Sequence, residues 1–266
     1  EIKEQEDYNY AFASLILAFM IAISLLLFLT KFDAAFFLKI WFFFVIILAL
    51  GIAFNAILSE FPYLNSNINL LNSEISLTSL LAFFIALPLA YIKIYKKEFL
   101  VHNLTELLVY PGISAVFVPI LNVYTIVILL IIISIYDMWA VWHSGIMQKM
   151  AKYQMNKLNV FSGFFVPYMS KKAKMKLRKL SKSQRSKKKI RVNVAILGGG
   201  DVVFPIITAG VMLKTLGLGS ALFVSAGATT GLAALLFMAE DEKFHPAMPF
   251  ISAGIFVGIG LGYLLF

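Results

Sequence analysis

The hydrophobic positions of this 266-residue chain form long, nearly uninterrupted apolar runs separated by short polar segments. Each run is about 20 residues long, the length that an α-helix needs to cross a hydrocarbon core of about 30 Å. The pattern therefore predicts an all-α polytopic membrane protein. Its eight predicted spans lie near residues 10–30, 36–58, 76–95, 101–119, 121–143, 192–213, 217–238 and 246–266.

Composition supports this interpretation and excludes several kinds of chemistry. Hydrophobic residues make up 61% of the chain and its mean hydropathy is +0.87, whereas soluble domains contain about 45 to 50% apolar residues. Cysteine is absent, which excludes disulfides and thiolate nucleophiles. The sequence contains neither the HExxH pattern of zinc peptidases nor the GxSxG pattern of serine hydrolases. We expect neither a metal nor another cofactor.

Positive charge is concentrated in one hydrophilic segment. Between residues 145 and 191 lie 15 of the 23 Lys and Arg residues and no Asp or Glu. Because cytoplasmic loops are enriched in Lys and Arg, residues 144–191 are predicted to form a cytoplasmic loop. Contact with anionic lipid headgroups is compatible with this placement, whereas nucleic-acid binding is not expected because no aromatic platform accompanies the lysines. The loop separates an N-terminal membrane part, 1–143, from a C-terminal membrane part, 192–266.

Counting membrane crossings from this loop gives the side of the other connections. Residues 93–98, which contain three lysines, fall on the cytoplasmic side, and residues 59–74, which contain no Lys or Arg, fall outside. The acidic N-terminus also falls outside. The chain begins without Met, which is consistent with a further span upstream of residue 1 that would return the start to the cytoplasm.

Two carboxylates lie well within apolar runs, whereas most other acidic residues are placed in loops or at span ends. They are Asp137 in IIISIYDMWAVW and Asp201 in ILGGGDVVFP. A charged carboxylate at the centre of a span costs about 2.5 to 3.5 kcal/mol on insertion scales, so it normally faces a cavity or partner and marks function. Both are predicted in the cytoplasmic half of the membrane at depths that differ by about one helical turn. Two antiparallel spans can therefore bring them face to face.

A facing pair of carboxylates is the equipment of an aspartic protease. One carboxylate accepts a proton from water while the other, protonated, polarises the scissile carbonyl. The pair shares one proton because two close like charges do not both ionise. The residues alone leave open a channel or proton-coupled transporter that uses the aspartates as relay groups. An inert membrane scaffold would leave the cost of two buried carboxylates unexplained.

Three short motifs lie on three of the predicted spans. They are Tyr136-Asp137, the GxGD sequence Gly198-Gly199-Gly200-Asp201, and Pro246-Ala247-Met248, which opens the last span. With these motifs, in this order and with a large hydrophilic loop between the first two, the chain resembles the presenilin and signal peptide peptidase family of intramembrane aspartyl proteases. The resemblance covers residues 120–266 by motif and most of the rest by span pattern only.

The resemblance implies a presenilin-like helical bundle in which Asp137 and Asp201 are catalytic and the other motif residues support the site. It implies transmembrane proteins or signal-peptide remnants as substrates and no cofactor. The family has nine spans, so the eight found here would be its second to ninth. Pro249 completes PAMP, which is closer to the presenilin type, and the chain resembles a prokaryotic, archaeal-type homologue. Met248 replaces the usual Leu at similar volume, and we expect activity to be retained.

A prepilin peptidase is a minor alternative, since those enzymes also use a GxGD motif. They typically have fewer spans, and nothing in their pattern explains Tyr136-Asp137 or PAMP. Within the resemblance, the glycines at 198–200 are expected to free the backbone beside Asp201 so that a substrate strand can approach, although close helix packing is an alternative. Pro246 is expected in the first turn of the last helix.

Two segments beside the basic loop indicate how a substrate helix is opened. The carbonyls of a helical peptide are occupied by hydrogen bonds, so an intramembrane protease must unwind its substrate locally. FSGFFVPY, 161–168, is apolar, and IRVNVAIL, 190–197, is β-branched and partly alternating. One or both are predicted to form short strands that pair with unwound substrate by strand addition. An interfacial amphipathic segment is the alternative.

Overall fold

A computed structural model describes residues 5–31, 35–64, 66–70, 73–96, 98–144, 162–168, 193–238 and 245–266. Most of the predicted basic loop, 144–191, thus lies outside the described residues. The described residues form eight α-helices: α1 (Gln5–Lys31), α2 (Ala35–Leu58), α3 (Leu77–Tyr91), α4 (Phe99–Phe117), α5 (Val123–Trp139), α6 (Gly200–Leu216), α7 (Leu218–Met238) and α8 (Met248–Leu265). Short π-helical turns follow α3 and α5, at Ile92–Lys96 and Ala140–Ser144.

The helices confirm the predicted all-α polytopic membrane protein. Within the described ranges, six helical segments are long and apolar enough to cross a membrane. In addition, α1 contains the shorter apolar stretch Tyr10–Ala22, and α6 has 17 residues. The six are Phe36–Leu58, Leu77–Lys96, Phe99–Phe117, Val123–His143, Leu218–Met238 and Met248–Leu265.

The structure corrects the start of the sixth predicted span, 192–213. Residues Asn193–Gly198 form a β-strand, and α6 begins only at Gly200. An apolar run does not by itself distinguish strand from helix, and here a second strand is available to pair with its backbone. The predicted strands near 161–168 and 190–197 are therefore present over Gly163–Tyr168 and Asn193–Gly198, while 161 and 190–192 lie outside the described residues.

The described part of the chain contains four strands, which pair as two antiparallel hairpins. The first, β1 (Asn67–Leu70) with β2 (Ser73–Ser76), connects α2 to α3 and was not predicted. The second, β3 (Gly163–Tyr168) with β4 (Asn193–Gly198), leads into α6, and its register pairs Gly163 with Gly198. The second hairpin therefore lies immediately before Asp201.

The buried side chains form two groups that meet at α6. One group joins α5, α6, α7 and α8 and includes Ile126, Val211 and Ile255. The other joins α2, α3 and α4 and includes Leu50 and Tyr110. Val203 of α6 packs against both groups, so Asp201, two residues earlier, lies close to their junction.

Glycines allow α7 and α8 to pack backbone against backbone. A Cβ atom added to Gly254 would collide with the carbonyl oxygen of Gly227, and one added to Gly227 would collide with that of Gly254. A Cβ on Gly231 would meet the backbone of Phe250 in the same way. Helices in a membrane associate through such close packing because lipid tails are as apolar as the side chains. This contact fixes α8, which carries Pro246-Ala247-Met248 at its start.

Candidate active site

The start of α8 holds the carboxylate of Asp137. Asp137 lies two residues before the end of α5 and is 7% exposed. Its Oδ2 accepts a hydrogen bond of 3.0 Å from the backbone N–H of Met248, and the backbone of Ala247 also bonds to this carboxylate. The first N–H groups of a helix have no intrahelical partner and favour an anion. The third sequence motif thus contacts the first through its backbone.

A second polar contact between α5 and α8 lies one turn away. The hydroxyl of Ser134, three residues before Asp137, donates to the hydroxyl of Ser252, four residues after Met248, over 2.9 Å. Both serines are buried. Two contacts one turn apart set the depth at which α5 lies against α8, and with it the position of Asp137.

Asp201 lies in the first turn of α6, where β4 ends. The backbone of Gly198 lies beside its carboxylate, and the carboxylates of Asp201 and Asp137 are close enough for their charges to interact. The structure thus brings together the two aspartates singled out in the sequence. They come from antiparallel helices, as the span pattern predicts.

Two of the three glycines before Asp201 are sites of close approach. A Cβ atom on Gly198 would lie 3.0 Å from Oδ2 of Asp201. A Cβ atom on Gly199 would lie 3.0 Å from the Ser162 hydroxyl and 3.2 Å from the Tyr110 hydroxyl. At Gly200 the nearest atom would be in the Phe204 ring at 3.6 Å, an ordinary contact. Space beside the carboxylate thus depends on Gly198 and Gly199.

Two cavities of about 330 Å³ each lie on different sides of the start of α6. The first has a polar end formed by Tyr110, Ser162 and Gly199, and apolar walls from α1, α4, α5 and α6. The second is lined by Asp201 itself, by Ser225 and Thr229 of α7, and by residues of α6 and α8. Asp201 therefore borders the second cavity, and Gly199 and Gly200 just before it border the first.

Tyr136 precedes Asp137 near the end of α5, and Pro246 precedes α8. The Tyr136 side chain is 44% exposed and packs against Trp139, with ring centroids 6.3 Å apart. Pro246 is not in the first turn of the last helix, because α8 begins at Met248 and Pro249 occupies that turn. The expectation for Pro246 was wrong: this residue precedes the helix by two positions, and Pro249, three residues later, takes the place in the first turn that was expected for it.

Tyr110 of α4 lies beside the candidate site, although no motif in the sequence marks it as a site residue. Its hydroxyl is buried near Ser162 and Gly199 and interacts with the charge of Asp201. Among the described residues this hydroxyl has no hydrogen bond of standard geometry. Tyr110 belongs to a span without any of the three motifs, so only the tertiary fold brings it to the site.

A buried ionic cluster was also missed. Glu106 is fully buried within α4, and its Oε1 lies 2.8 Å from Nζ of Lys93. Most acidic residues other than the two aspartates were expected in loops or at span ends, and Glu106 departs from this because a lysine from the preceding helical segment compensates its charge. The spacing of His102 and Glu106, four residues apart in an apolar run, places both on one helix face and was the available signal.

The comparisons with known proteins agree with this geometry. The family model described as signal-peptide peptidase, presenilin aspartyl protease matches residues 2–266. Two structures of a presenilin family intramembrane aspartate protease, in space groups C222 and P2, share the fold with TM-scores of 0.56 and 0.57. Both are 18% identical to this chain and cover 96% of it, and the chain covers 84% and 82% of theirs. A search of curated proteins finds no significant match. The chain therefore belongs to the signal-peptide peptidase and presenilin family of aspartyl proteases.

Proposed function

We propose that this protein is an intramembrane aspartyl endopeptidase that hydrolyses peptide bonds within transmembrane segments, with Asp137 and Asp201 as its catalytic pair. The observation that carries the proposal is that these two carboxylates, from α5 and α6, lie close enough for their charges to interact inside a bundle of apolar helices. Carboxylates inside a membrane protein's apolar bundle are energetically costly, so their presence indicates a function. Family membership and fold agree with an aspartic protease.

The chemistry follows from a pair that shares one proton. The ionised carboxylate takes a proton from a water molecule as the water oxygen bonds to the scissile carbonyl carbon. The protonated carboxyl donates its hydrogen to the carbonyl oxygen, which stabilises the developing charge. When the C–N bond breaks, the carboxyl that took the proton from water gives it to the leaving nitrogen, and a hydroxyl of the tetrahedral intermediate returns a proton to the other carboxylate, so the pair again holds one. The Met248 amide keeps Asp137 oriented throughout.

Reconstituted protein offered a panel of single-span model proteins tests this function. We expect cleavage within the span, identified by mass spectrometry of the two products. A hydroxyl-containing transition-state analogue should block cleavage and a metal chelator should not. Proton flux across the same liposomes without any proteolysis would contradict the proposal and favour a channel or transporter.

The substrate is proposed to bind β4 by strand addition. One edge of β4 pairs with β3, and among the described residues no strand pairs with its other edge. Gly198 at the end of β4 contacts Asp201. An unwound substrate segment that pairs with the free edge would therefore place its peptide bonds beside the carboxylate.

Proline substitutions along β4 test the strand proposal. Successive residues of a strand direct their N–H groups to opposite edges, and proline has none. Of the variants Val194→Pro and Ala195→Pro, one should weaken pairing with β3 and the other pairing with substrate. We expect both to lower kcat/KM by about 10-fold or more, roughly the cost of one or two lost hydrogen bonds. Unchanged cleavage in both variants would rule out strand addition at β4.

The protein is proposed to lie in the cell membrane with residues 144–191 in the cytoplasm. The support is the concentration of 15 Lys and Arg residues, without any Asp or Glu, between residues 145 and 191. The same residues would bind anionic headgroups of the adjacent leaflet.

A further inference from the structure

Lys93, His102 and Glu106 form a buried cluster outside the three sequence motifs. The Lys93 and Glu106 side chains are 3% and 0% exposed and lie 2.8 Å apart, and Nε2 of His102 lies 3.7 Å from the same Glu106 oxygen. Buried charges lose their hydration, so such a cluster contributes little net stability compared with well-packed apolar side chains. The role of the cluster is therefore inferred from its contacts with the rest of the fold.

The cluster binds the backbone of one residue in β3. The Gly163 N–H donates to Oε1 of Glu106 over 3.3 Å. The Gly163 carbonyl oxygen lies 2.8 Å from Nε2 of His102, and since a carbonyl only accepts, the ring nitrogen donates. One turn further along α4, the Tyr110 ring packs edge-on against Phe164, with centroids 5.4 Å apart. A row of side chains on one face of α4 thus anchors the start of β3.

This anchor connects to the catalytic site through the hairpin. Gly163 is the cross-strand partner of Gly198, and the backbone of Gly198 lies against Asp201, since a Cβ atom on Gly198 would be 3.0 Å from Oδ2 of Asp201. Three contacts therefore lead from Glu106 to Gly163, from Gly163 to Gly198, and from Gly198 to the carboxylate. All three contacts involve backbone atoms. A shift of β3 relative to α4 would therefore shift β4 relative to Asp201.

We propose that Lys93, His102 and Glu106 are positioning residues that fix the β3–β4 hairpin on α4 and thereby determine which peptide bond of the substrate is cut. This proposal rests on the proposed protease function and on strand addition at β4. Residues 169–192 separate β3 from β4 in the sequence, so no tight turn sets their register, and a short two-stranded sheet is only marginally stable by itself. Two side-chain bonds to a single backbone residue supply the missing constraint, because they hold both its N–H and its carbonyl.

The first test is the double variant Lys93→Met, Glu106→Leu, which removes both charges together and leaves no unpaired ion. A melting temperature near that of the wild type is expected, since apolar residues often replace a buried ion pair at no cost. Mass spectrometry of the products of one single-span substrate should show the main cut spreading to neighbouring bonds. The kcat should fall by about 10- to 100-fold, the scale of a misplacement of about 1 Å.

Two variants of His102 and one of Thr105 separate positioning from general stability. His102→Gln keeps a donor for the Gly163 carbonyl and should retain the wild-type cut, whereas His102→Ala should spread it. Thr105→Val is the matched control, because this buried hydroxyl donates only within α4, to Val101 and His102 carbonyls. Its cut positions should be those of the wild type. If the double variant does not purify, the His102 pair decides the question in the same way.

A disulfide provides the rescue. The chain has no cysteine, and Phe165 and Ile196 are cross-strand partners in the hairpin, so Phe165→Cys with Ile196→Cys adds one removable link. In the His102→Ala background, oxidation should restore the wild-type cut and reduction should spread it again. Wild-type cut positions and kcat in the cluster variants would overturn the proposal, as would a spread that the disulfide does not reverse. Failure of the wild type to cleave any substrate would instead contradict the protease function.

Discussion

Replacement of either Asp137 or Asp201 by Asn should abolish cleavage of transmembrane substrates while leaving the fold intact. Asn keeps the size and shape of Asp, but its amide neither accepts nor releases a proton near neutral pH. A positioned acid or base contributes about 10²- to 10⁴-fold to the rate, and catalytic groups that act as a unit lose most activity when either one is removed. We therefore expect the kcat of each variant to be lower than that of the wild type by at least about 10⁴-fold.

Purified variants in liposomes, with products identified by mass spectrometry, measure this effect. Melting temperatures at or above that of the wild type are expected, because each substitution removes a charge that the bundle otherwise has to bury. Glu98→Gln is the matched control, since Glu98 is an exposed carboxylate at the start of α4 and its loss should leave cleavage unchanged. Wild-type activity in either Asn variant would exclude the proposed catalytic pair.

The substitution Gly254→Ala should lower both the stability of the protein and its activity. The added methyl group would collide with backbone atoms of Gly227 and Gly231, which cannot rotate away as a side chain does. The helices α7 and α8 must then separate, and overpacking of this kind costs about 1 to 3 kcal/mol. For a protein of this size that corresponds to a fall in Tm of about 2 to 12 °C. Displacement of α8 also moves the Met248 amide away from Asp137.

The same substitution at Gly260 is the control. Gly260 lies on α8 as well, is exposed, and has no atom within 4 Å of the position that a Cβ would take. Alanine is favoured over glycine in a helix by about 0.5 to 1 kcal/mol, so Tm should stay the same or rise slightly. Equal melting temperatures for Gly254→Ala and Gly260→Ala would show that the backbone contact between α7 and α8 contributes nothing to stability.

The features predictable from sequence are those encoded in short stretches of the chain. The helices follow from apolar runs of membrane-spanning length, and Asp137 and Asp201 stand out because a carboxylate is rare inside such a run. Their catalytic role stays a prediction. Similarly, the strand near 190–197 was indicated by local β-branching and partial alternation, and the strand near 161–168 by an apolar stretch beside the basic loop.

The features not predicted depend on partners distant in sequence. Glu106 can be buried because Lys93 compensates its charge, and the pairing is visible only when α3 and α4 are packed together. Tyr110 reaches the site because α4 lies beside β3 and the start of α6, with no motif of its own. The sixth apolar run is divided into strand and helix because β3 supplies hydrogen bonds to residues 193–198.

The junction of β4 with α6 has a consequence for the choice of substrates. Asp201 follows the last strand residue by three positions, so a segment paired with β4 reaches the carboxylate only after giving up its own helical hydrogen bonds. The rate at which a substrate is cleaved would then depend on the free energy needed to unwind its helix near the cut. Glycine, β-branched residues or proline near the cut lower that cost, since glycine and proline are about 1 and 3 kcal/mol worse than alanine in a helix. Such recognition depends more on the local stability of the substrate helix than on the identity of its side chains. One enzyme would therefore cleave spans of unrelated sequence.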